Sequence, residues 1–556
     1  MRKAIKCIIA CLLVLCIALP FGCSNDNSGK DEPKNDTNNY AEIKVANSSD
    51  KILQSYSENS SVKEEYMGKL TDNFIINAYQ NEYESKQLII TANKKISSFD
   101  IELNSFKNGS DTLDKSNFEI YQEYYHNVHT IYATESDMEA GYFPDALIPF
   151  NTAKEYKINK IEKNNNQGIY ITVYIPKGQK AGEYTGSITV TLNGTEKKTI
   201  NCTINVFDYE LPDDVSLQTC IPLQAAYIGN GELDSTRDLY YTYVEHLNNY
   251  RLSVTFLEPN GLAAGLSDEE YYDLAIKEAD LAVEATNDVT VSAYCIRYIG
   301  ETSEEFNGKN VLNEKVLDIF LRAYVDKSIE KNVDLFKKAY LYLGSIIDEP
   351  YLTHSEERAN YVCRQVESTI QGAVLYAQEQ NASEEIINSL ANLKHIVTNE
   401  WQSNLQDVQY YCPQPDALDS AESIDLYENL YKEGKGFWWY TCCIPYQPYP
   451  TVHIDDNGTS MRLMGWMAKK LKIGGYLTWE SAYYMSYMDS TTKSIYGFDN
   501  YTIVERWTGG FGDGYCFYPG ALFGLDEPID SMRLPIMRDG MEEYEALNDL
   551  ESKYKE

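Results

Sequence analysis

Between residues 182 and 206 apolar side chains fall on every second position. Ile188, Val190 and Leu192 alternate with Thr and Ser, Asn193-Gly194 supplies a turn, and Ile200, Cys202, Ile204 and Val206 alternate on the return. A period of two puts one face of each segment inside, so the spacing predicts a β-hairpin. "GIYITVYIP" at 168–176 repeats the pattern and stops at a proline. Short strands with turn signals between them run through 41–212 and predict a β-sandwich. After "YELPDDVS" the period changes. Strand-like runs begin near residues 217, 252, 289, 339, 395, 408, 436 and 474. Helical spacing lies between them, as at 234–250, 313–331, 355–378 and 458–473. Alternation of this kind predicts a (β/α)8 TIM-like barrel over 213–556. One unit is degenerate, because 403–407 is too short for a helix. The expected fold class is therefore multidomain, an all-β sandwich followed by an α/β barrel. A last helix is expected from residue 530 onward, interrupted in its first half by Pro535 and Gly540.

The first 23 residues stand outside this pattern. Arg2, Lys3 and Lys6 precede an apolar stretch, and Gly22 leads into Cys23, which reads as an export signal. The cysteine at the break makes it look like a lipoprotein signal with Cys23 lipidated; an ordinary secretory signal or an uncleaved anchor are the alternatives. Residues 24–39 carry no aliphatic or large aromatic side chain and are expected, with the 24–40 segment as a whole, to form a flexible tether. Lipid and leash together place the folded body at the cell surface, anchored to the bacterial membrane.

Charge narrows the partner. A formal net charge of −36 argues against nucleic acid, since phosphate binding needs clustered Lys and Arg. Forty-seven tyrosines and six tryptophans suit either sugar-ring stacking or a half-polar core. The cysteines after Cys23 are scattered, which suggests buried thiols rather than a disulfide framework. No HxH, HxxxH or CxxC spacing points to a metal, and no cofactor is expected.

The chemistry gathers at "YLGSIIDEPY", residues 342–351, where Asp348 and Glu349 follow a strand-forming run. Beyond them Thr353 and Glu356 form a T-x-x-E capping box, and Ala359, Val362, Cys363, Val366 and Ile370 keep helical spacing. The acids are thus expected at the C-terminal end of the fourth barrel strand, the end that carries chemistry in such folds. Neighbours in a strand point to opposite faces, so the strand must finish at the pair for both to address one ligand. Pro350 lacks the ladder N–H and should hold Glu349 in the β or polyproline region. A solvated strand end whose acids cap the next helix is the competing reading.

Several passages resemble one family when taken in order: "NEYESKQL", "AGYFPDALIPF" and "AGEYTGSITV" early, then "IDEP", "FWWYTCCIPYQPYPTVHID", "GWMAKKLKIGGYLTW", "GDGYCFYPG" and "MRLPIMRDGMEEYEAL". The set is similar to the glycoside hydrolase family 123-like proteins, including the bacterial group that carries the domain of unknown function numbered 4091. The resemblance implies an extracellular glycosidase cleaving terminal β-linked N-acetylhexosamine, with N-acetylgalactosamine favoured, by substrate-assisted retention. It implies Glu349 as general acid and base and Asp348 as the group orienting the 2-acetamido substituent. The alternative is a glycan-binding surface lipoprotein of the same fold without turnover.

Strand ends nominate further substrate-binding residues: Asn399 and Trp401 after the fifth strand, Trp439 on the seventh, and Trp479 with Glu480 on the eighth. Only one of Trp438 and Trp439 can face the axis, and Trp439 is preferred because it lies nearer the C-terminal end. Tyr446, Asp455 and Asp513 lie in loops expected at the mouth. The glycines of "GFGDGYCFYPG" lack a strand before and a helix after, which argues against a nucleotide loop. Arg462 and Trp466 are expected to be structural.

Overall fold

A computed structural model describes residues 39–554, apart from 134–135, 233–236, 303–305, 307 and 485–509. The expected signal, Cys23 and almost all of the tether lie outside the described residues, as does much of the loop expected over 483–520. Among the described residues no helix is long and apolar enough to cross a membrane. The eight described cysteines are all free, and six are buried.

Strands Ala41–Asn47, Glu82–Ala92, Asn166–Ile175, Phe118–Val128 and Gly141–Pro149 form, in that order, an antiparallel sheet. A second sheet runs Phe74–Gln80, Glu196–Glu210, Gly182–Leu192, Phe106–Asn108 and Asp111–Leu113, with Phe99–Leu103 also paired to Gly182–Leu192. The expected hairpin is present, with Leu192 opposite Glu196. Asn193 and Gly194 take φ of 49° and 67°, the left-handed geometry that a tight hairpin turn requires. The two sheets share one core, in which Phe106 stacks on Phe118 at 4.8 Å. Asn166–Ile175 is buried on almost every position because both faces of its sheet are covered. The outer face meets the C-terminal helix, whose Arg538 guanidinium lies 4.1 Å from the Tyr83 ring centroid.

The rest of the chain is mixed α and β. Gln218–Cys220, Gly475–Thr478 and Trp439–Thr441 make one parallel sheet. Tyr294–Cys295, Ala339–Tyr342, Lys394–Val397, Tyr410–Tyr411 and Gly436–Phe437 make another. The regular ladders stop short of one closed ring. Helices including Asp268–Asn287, Glu314–Lys331, Glu356–Glu379 and Gly458–Leu471 alternate with these strands. The strand faces turned away from the large core build a smaller cluster of Cys220, Cys295, Tyr340, Ile396, Cys412, Trp438, Tyr440 and Leu477 with Ala293.

Three local expectations fail, each for a packing reason. The strand at 339 ends at Tyr342, seven residues before Glu349, because the chain tightens into a 3-10 turn at Leu343–Ser345. Gly344 permits this turn, since a Cβ there would lie 2.3 Å from the Tyr342 ring. The capping box does not form. Helix Glu356–Glu379 begins after Ser355, and Thr353 instead bonds Glu349 O at 3.1 Å and Ser355 Oγ at 2.8 Å. Pro535 and Gly540 do not interrupt the last helix, which is continuous over Arg533–Tyr554. Pro535 sits in its first turn, where a missing N–H costs little. Gly540 marks a close crossing with Gly458–Leu471, where a Cβ on Gly465 would lie 1.9 Å from Gly540 O.

At the start of that helix Arg533 is wholly buried. Its Nε reaches Asp145 Oδ1 at 3.0 Å and its Nη2 reaches Asp145 Oδ2 at 2.9 Å. Nη1 donates to the carbonyls of Val452 and Gly512, and Nη2 also to that of Tyr515. Tyr518 Oη donates to Asp145 Oδ2 at 2.6 Å, and Lys51 Nζ stands 3.7 Å from Oδ1. One guanidinium thus joins a sandwich strand, the last helix and two loops. Removing one partner of a buried pair strands the other charge, at a cost of about 3–5 kcal/mol. Asp145→Ala should therefore lose about that much unfolding free energy in urea titration, and a loss within the noise of a surface substitution would contradict the assigned role.

Candidate active site

The acids lie at the C-terminal end of the parallel strands, as expected, but on a loop. Glu349 has φ of +41°, not the β or polyproline region. The loop closes on itself and imposes that value: Thr353 N donates to Glu349 O at 3.0 Å, and Ser355 N to Pro350 O at 2.8 Å. A left-handed non-glycine residue beside a proline is strained, and such strain persists where the surroundings enforce it.

Each carboxylate is held by a residue of the smaller cluster or its extension. Thr398, two residues beyond Ile396 and so on the same strand face, donates to Asp348 Oδ1 at 2.6 Å. Tyr440 Oη donates to Glu349 Oε1. Burial first, and then this contact with Glu349, push the Tyr440 hydroxyl well above the usual phenol range, so it stays protonated and donates. Asp348 is exposed and Glu349 half-buried. Hydrogen bonds from Thr398 and Tyr440, not strand direction, thus hold the two acids, and Asn399 fixes the loop by accepting Tyr351 N at 3.0 Å.

Strand alternation corrects the choice between the tryptophans. Trp438 lies in the smaller cluster with Tyr440, whereas Trp439 packs into the large core on the opposite face. Gly475 on the neighbouring strand leaves room for the Trp438 indole, which a Cβ would approach to 2.3 Å. Trp439 thus faces away from the strand face that carries Tyr440.

Trp479 is half-exposed, and its Nε1 donates to Asp513 Oδ1 at 2.7 Å. Asp513 itself is fully buried, with Oδ2 lacking a hydrogen-bond partner, so it lies behind the indole rather than lining the mouth. Burial pushes its carboxyl up to about 7. The glycines of "GFGDGYCFYPG" serve this arrangement. A Cβ on Gly512 would lie 2.9 Å from Arg533 Nη1, and one on Gly514 2.5 Å from the Trp479 ring. Cys443 is within electrostatic reach of both Glu349 and Asp513. A hydrogen bond from Cys442 lowers the Cys443 thiol below its usual range.

The other nominated residues divide. Trp401 and Tyr446 are half-exposed, the latter ring 6.0 Å from His453. Asn399, Asp455 and Glu480 are buried. Glu480 accepts Ser481 N at 2.9 Å and Gln224 Nε2 at 3.1 Å, joining the segments after strands Gln218–Cys220 and Gly475–Thr478, and burial pushes it up to about 8. Arg462 pairs with Glu84, Asp539 and Glu543, and Trp466 donates to Glu543, so both are structural as expected. Sequence reading missed Thr398, Tyr440 and Cys443. The signal for Tyr440 was present, because it lies two positions beyond Trp438 and so on the same face. Among the described residues no group of His, Cys, Asp and Glu could hold a metal ion.

The model for the glycoside hydrolase 123 catalytic domain matches residues 309–550, and that for the glycoside hydrolase 123 N-terminal domain matches residues 56–192. A solved family 123 glycoside hydrolase from Clostridium perfringens, studied for glycolipid glycan hydrolysis, has a TM-score of 0.61 at 14% identity over 92% of this chain and 89% of that one. At that identity the likeness is one of fold. A family 39 glycoside hydrolase from Bacteroides cellulosilyticus has a TM-score of 0.30 at 10% identity, covering 79% of this chain and 82% of its own, too low to carry argument. No curated protein matches by sequence.

The buried acids make stability depend on pH. Burial pushes Glu123 and Glu480 up to about 8, and Glu278 and Asp513 up to about 7. Each keeps a proton in the folded state that the unfolded chain has already released, so stability falls as pH rises through these values. The melting temperature should drop between about pH 6.5 and 8, and Glu123→Gln should flatten that slope; a melting temperature rising over this window would contradict the assignment.

Proposed function

The chain belongs to the glycoside hydrolase 123-like proteins and is a glycoside hydrolase, and we propose that it releases terminal β-linked N-acetylhexosamine, N-acetylgalactosamine first, by substrate-assisted retention. The observation that carries this reading is the adjacent pair Asp348–Glu349, each carboxylate held by one oxygen from a neighbouring strand end, within the matched catalytic segment. In this reading Glu349, anchored through Oε1 by Tyr440, gives its proton to the leaving glycosidic oxygen. Asp348, anchored through Oδ1 by Thr398, accepts the acetamido N–H and so raises the nucleophilicity of the carbonyl oxygen, which bonds to the anomeric carbon as the leaving bond breaks. Glu349 then takes a proton from the water that opens the intermediate. Because the substrate supplies the nucleophile, no second carboxylate is needed across the ring at the ~5 Å of an ordinary retaining pair. Half-exposed Trp479, braced by Asp513, offers an indole to a sugar ring.

The two parallel sheets are proposed as arcs of one (β/α)8 barrel over 213–556, following the sandwich of 41–212. In support, Gly436–Phe437 and Trp439–Thr441 lie on one strand run but pair in different sheets. Backbone bonds Thr255 N to Ile221 O and Cys295 N to Thr255 O lead from the first sheet toward the second. A lipid-anchored, cell-surface location is proposed on the sequence pattern alone: Arg2, Lys3 and Lys6, the apolar stretch that follows, and Gly22-Cys23.

General acid–base groups contribute ~10²–10⁴-fold, so Glu349→Gln should lower turnover of a chromogenic β-N-acetylgalactosaminide by about that factor while the circular dichroism spectrum is unchanged. Wild-type turnover should be blocked by a thiazoline mimic of the cyclised intermediate. Undiminished activity in the variant would reject the role of Glu349; affinity for the glycan without any wild-type hydrolysis would favour a binding protein.

A further inference from the structure

The sandwich holds two neighbouring polar cavities that none of the foregoing uses. One, of about 880 Å³, is lined by residues including Tyr56, Asn59, Asn93, Asn164 and Asn166. The other, of about 440 Å³, is lined by residues including Gln54, Gln122, Tyr142, Asn165 and Gln167. Asn166 lines both, with Asn164 on the side of the larger cavity and Asn165 and Gln167 on the side of the smaller. Each volume lies in the ~300–1,000 Å³ range of small-ligand sites.

The walls are fixed before any ligand arrives. Asn166 Nδ2 donates to Leu53 O at 2.8 Å, and its Oδ1 accepts Thr91 Oγ1 at 2.8 Å. Gln167 Nε2 donates to Glu123 O at 2.7 Å. Ser60 caps helix Ser61–Gly68, which supplies another wall. Against this background Gln122 and Glu123, both in the lining of the smaller cavity, stand out, and both carboxyl oxygens of Glu123 are buried without a hydrogen-bond partner. Gln122 donates through Nε2 to Ile158 O, yet its Oε1 is buried without a hydrogen-bond partner.

Lining chemistry selects the ligand class. Lys63 stands among Glu58 and Glu64, and Lys160 beside Glu162, with no arginine in either lining, so nothing there favours phosphate or sulfate. Aliphatic side chains are few, which disfavours lipid. Amides and hydroxyls offer donors and acceptors together, the complement of a sugar hydroxyl that does both. Tyr142, 47% exposed, presents a ring face for stacking. We propose that the paired cavities are a second carbohydrate site, taking a neutral oligosaccharide that spans Asn166. This site does not rest on hydrolysis at Glu349.

The test is calorimetric titration of the full chain carrying Glu349→Gln, so that no probe is consumed, with cellotetraose, chitotetraose and xylotetraose, and sialyllactose as an anionic comparison. At least one neutral probe should bind more tightly than sialyllactose. Tyr142→Ala combined with Asn93→Ala, both at exposed positions, should weaken it at least tenfold with the melting temperature unchanged. In the Glu349 background the same pair should leave turnover as it was. Absence of binding by every neutral probe, preference for sialyllactose, or affinity unchanged by the double substitution would each overturn the proposal.

Discussion

The buried pair of Arg533 with Asp145 is the constraint on which the described structure turns. Asp145 sits on the last strand of the first sheet, and Arg533 opens the C-terminal helix. The guanidinium has more donors than one carboxylate can accept, and the surplus goes to Val452, Gly512 and Tyr515 carbonyls. Those carbonyls belong to the loops that carry Asp513 and flank His453. A charge taken out of water must have all its hydrogen bonds made, so these loops cannot drift without unpairing it. The sandwich is in this sense part of the site's support.

From Arg533 the constraint passes outward. Gly512 approaches the guanidinium and Gly514 the Trp479 ring too closely for a side chain. Asp513, between them, is thereby pressed against the indole, and Trp479 is left with one aspect open to solvent. A second lock acts on the acid loop. Thr353 and Ser355 close it, Asn399 ties it to the neighbouring strand end, and Thr398 and Tyr440 each take one carboxylate oxygen. The strained φ of Glu349 is maintained by these bonds. Rigid support of this kind is what the proton transfer proposed for Glu349 would require.

Chain periodicity by itself determined a good deal. The shift from period two to helical spacing near residue 212 marks where antiparallel sheets give way to parallel strands, because side-chain direction follows backbone period in both kinds of element. The hairpin at Asn193-Gly194 and the helices at 313–331, 355–378 and 458–473 were legible for the same reason. So was the placement of Asp348 and Glu349 at the C-terminal side of the parallel strands, though not the 3-10 turn that ends the strand at Tyr342 and leaves both acids on a loop. Local sequence could not decide how that loop turns. Pro350 argues for extended backbone at Glu349, and the bonds of Thr353 and Ser355 override it. Nor could it choose between Trp438 and Trp439, since one residue of register, set by the space over Gly475, exchanges every face. Burial of Asp513, Glu480 and Asp455 was likewise invisible, because a loop acid reads the same whether it meets water or the back of an indole. Periodicity is a property of neighbours in the chain; which carboxylate stays wet depends on groups hundreds of residues away, and only the packed structure brings those together.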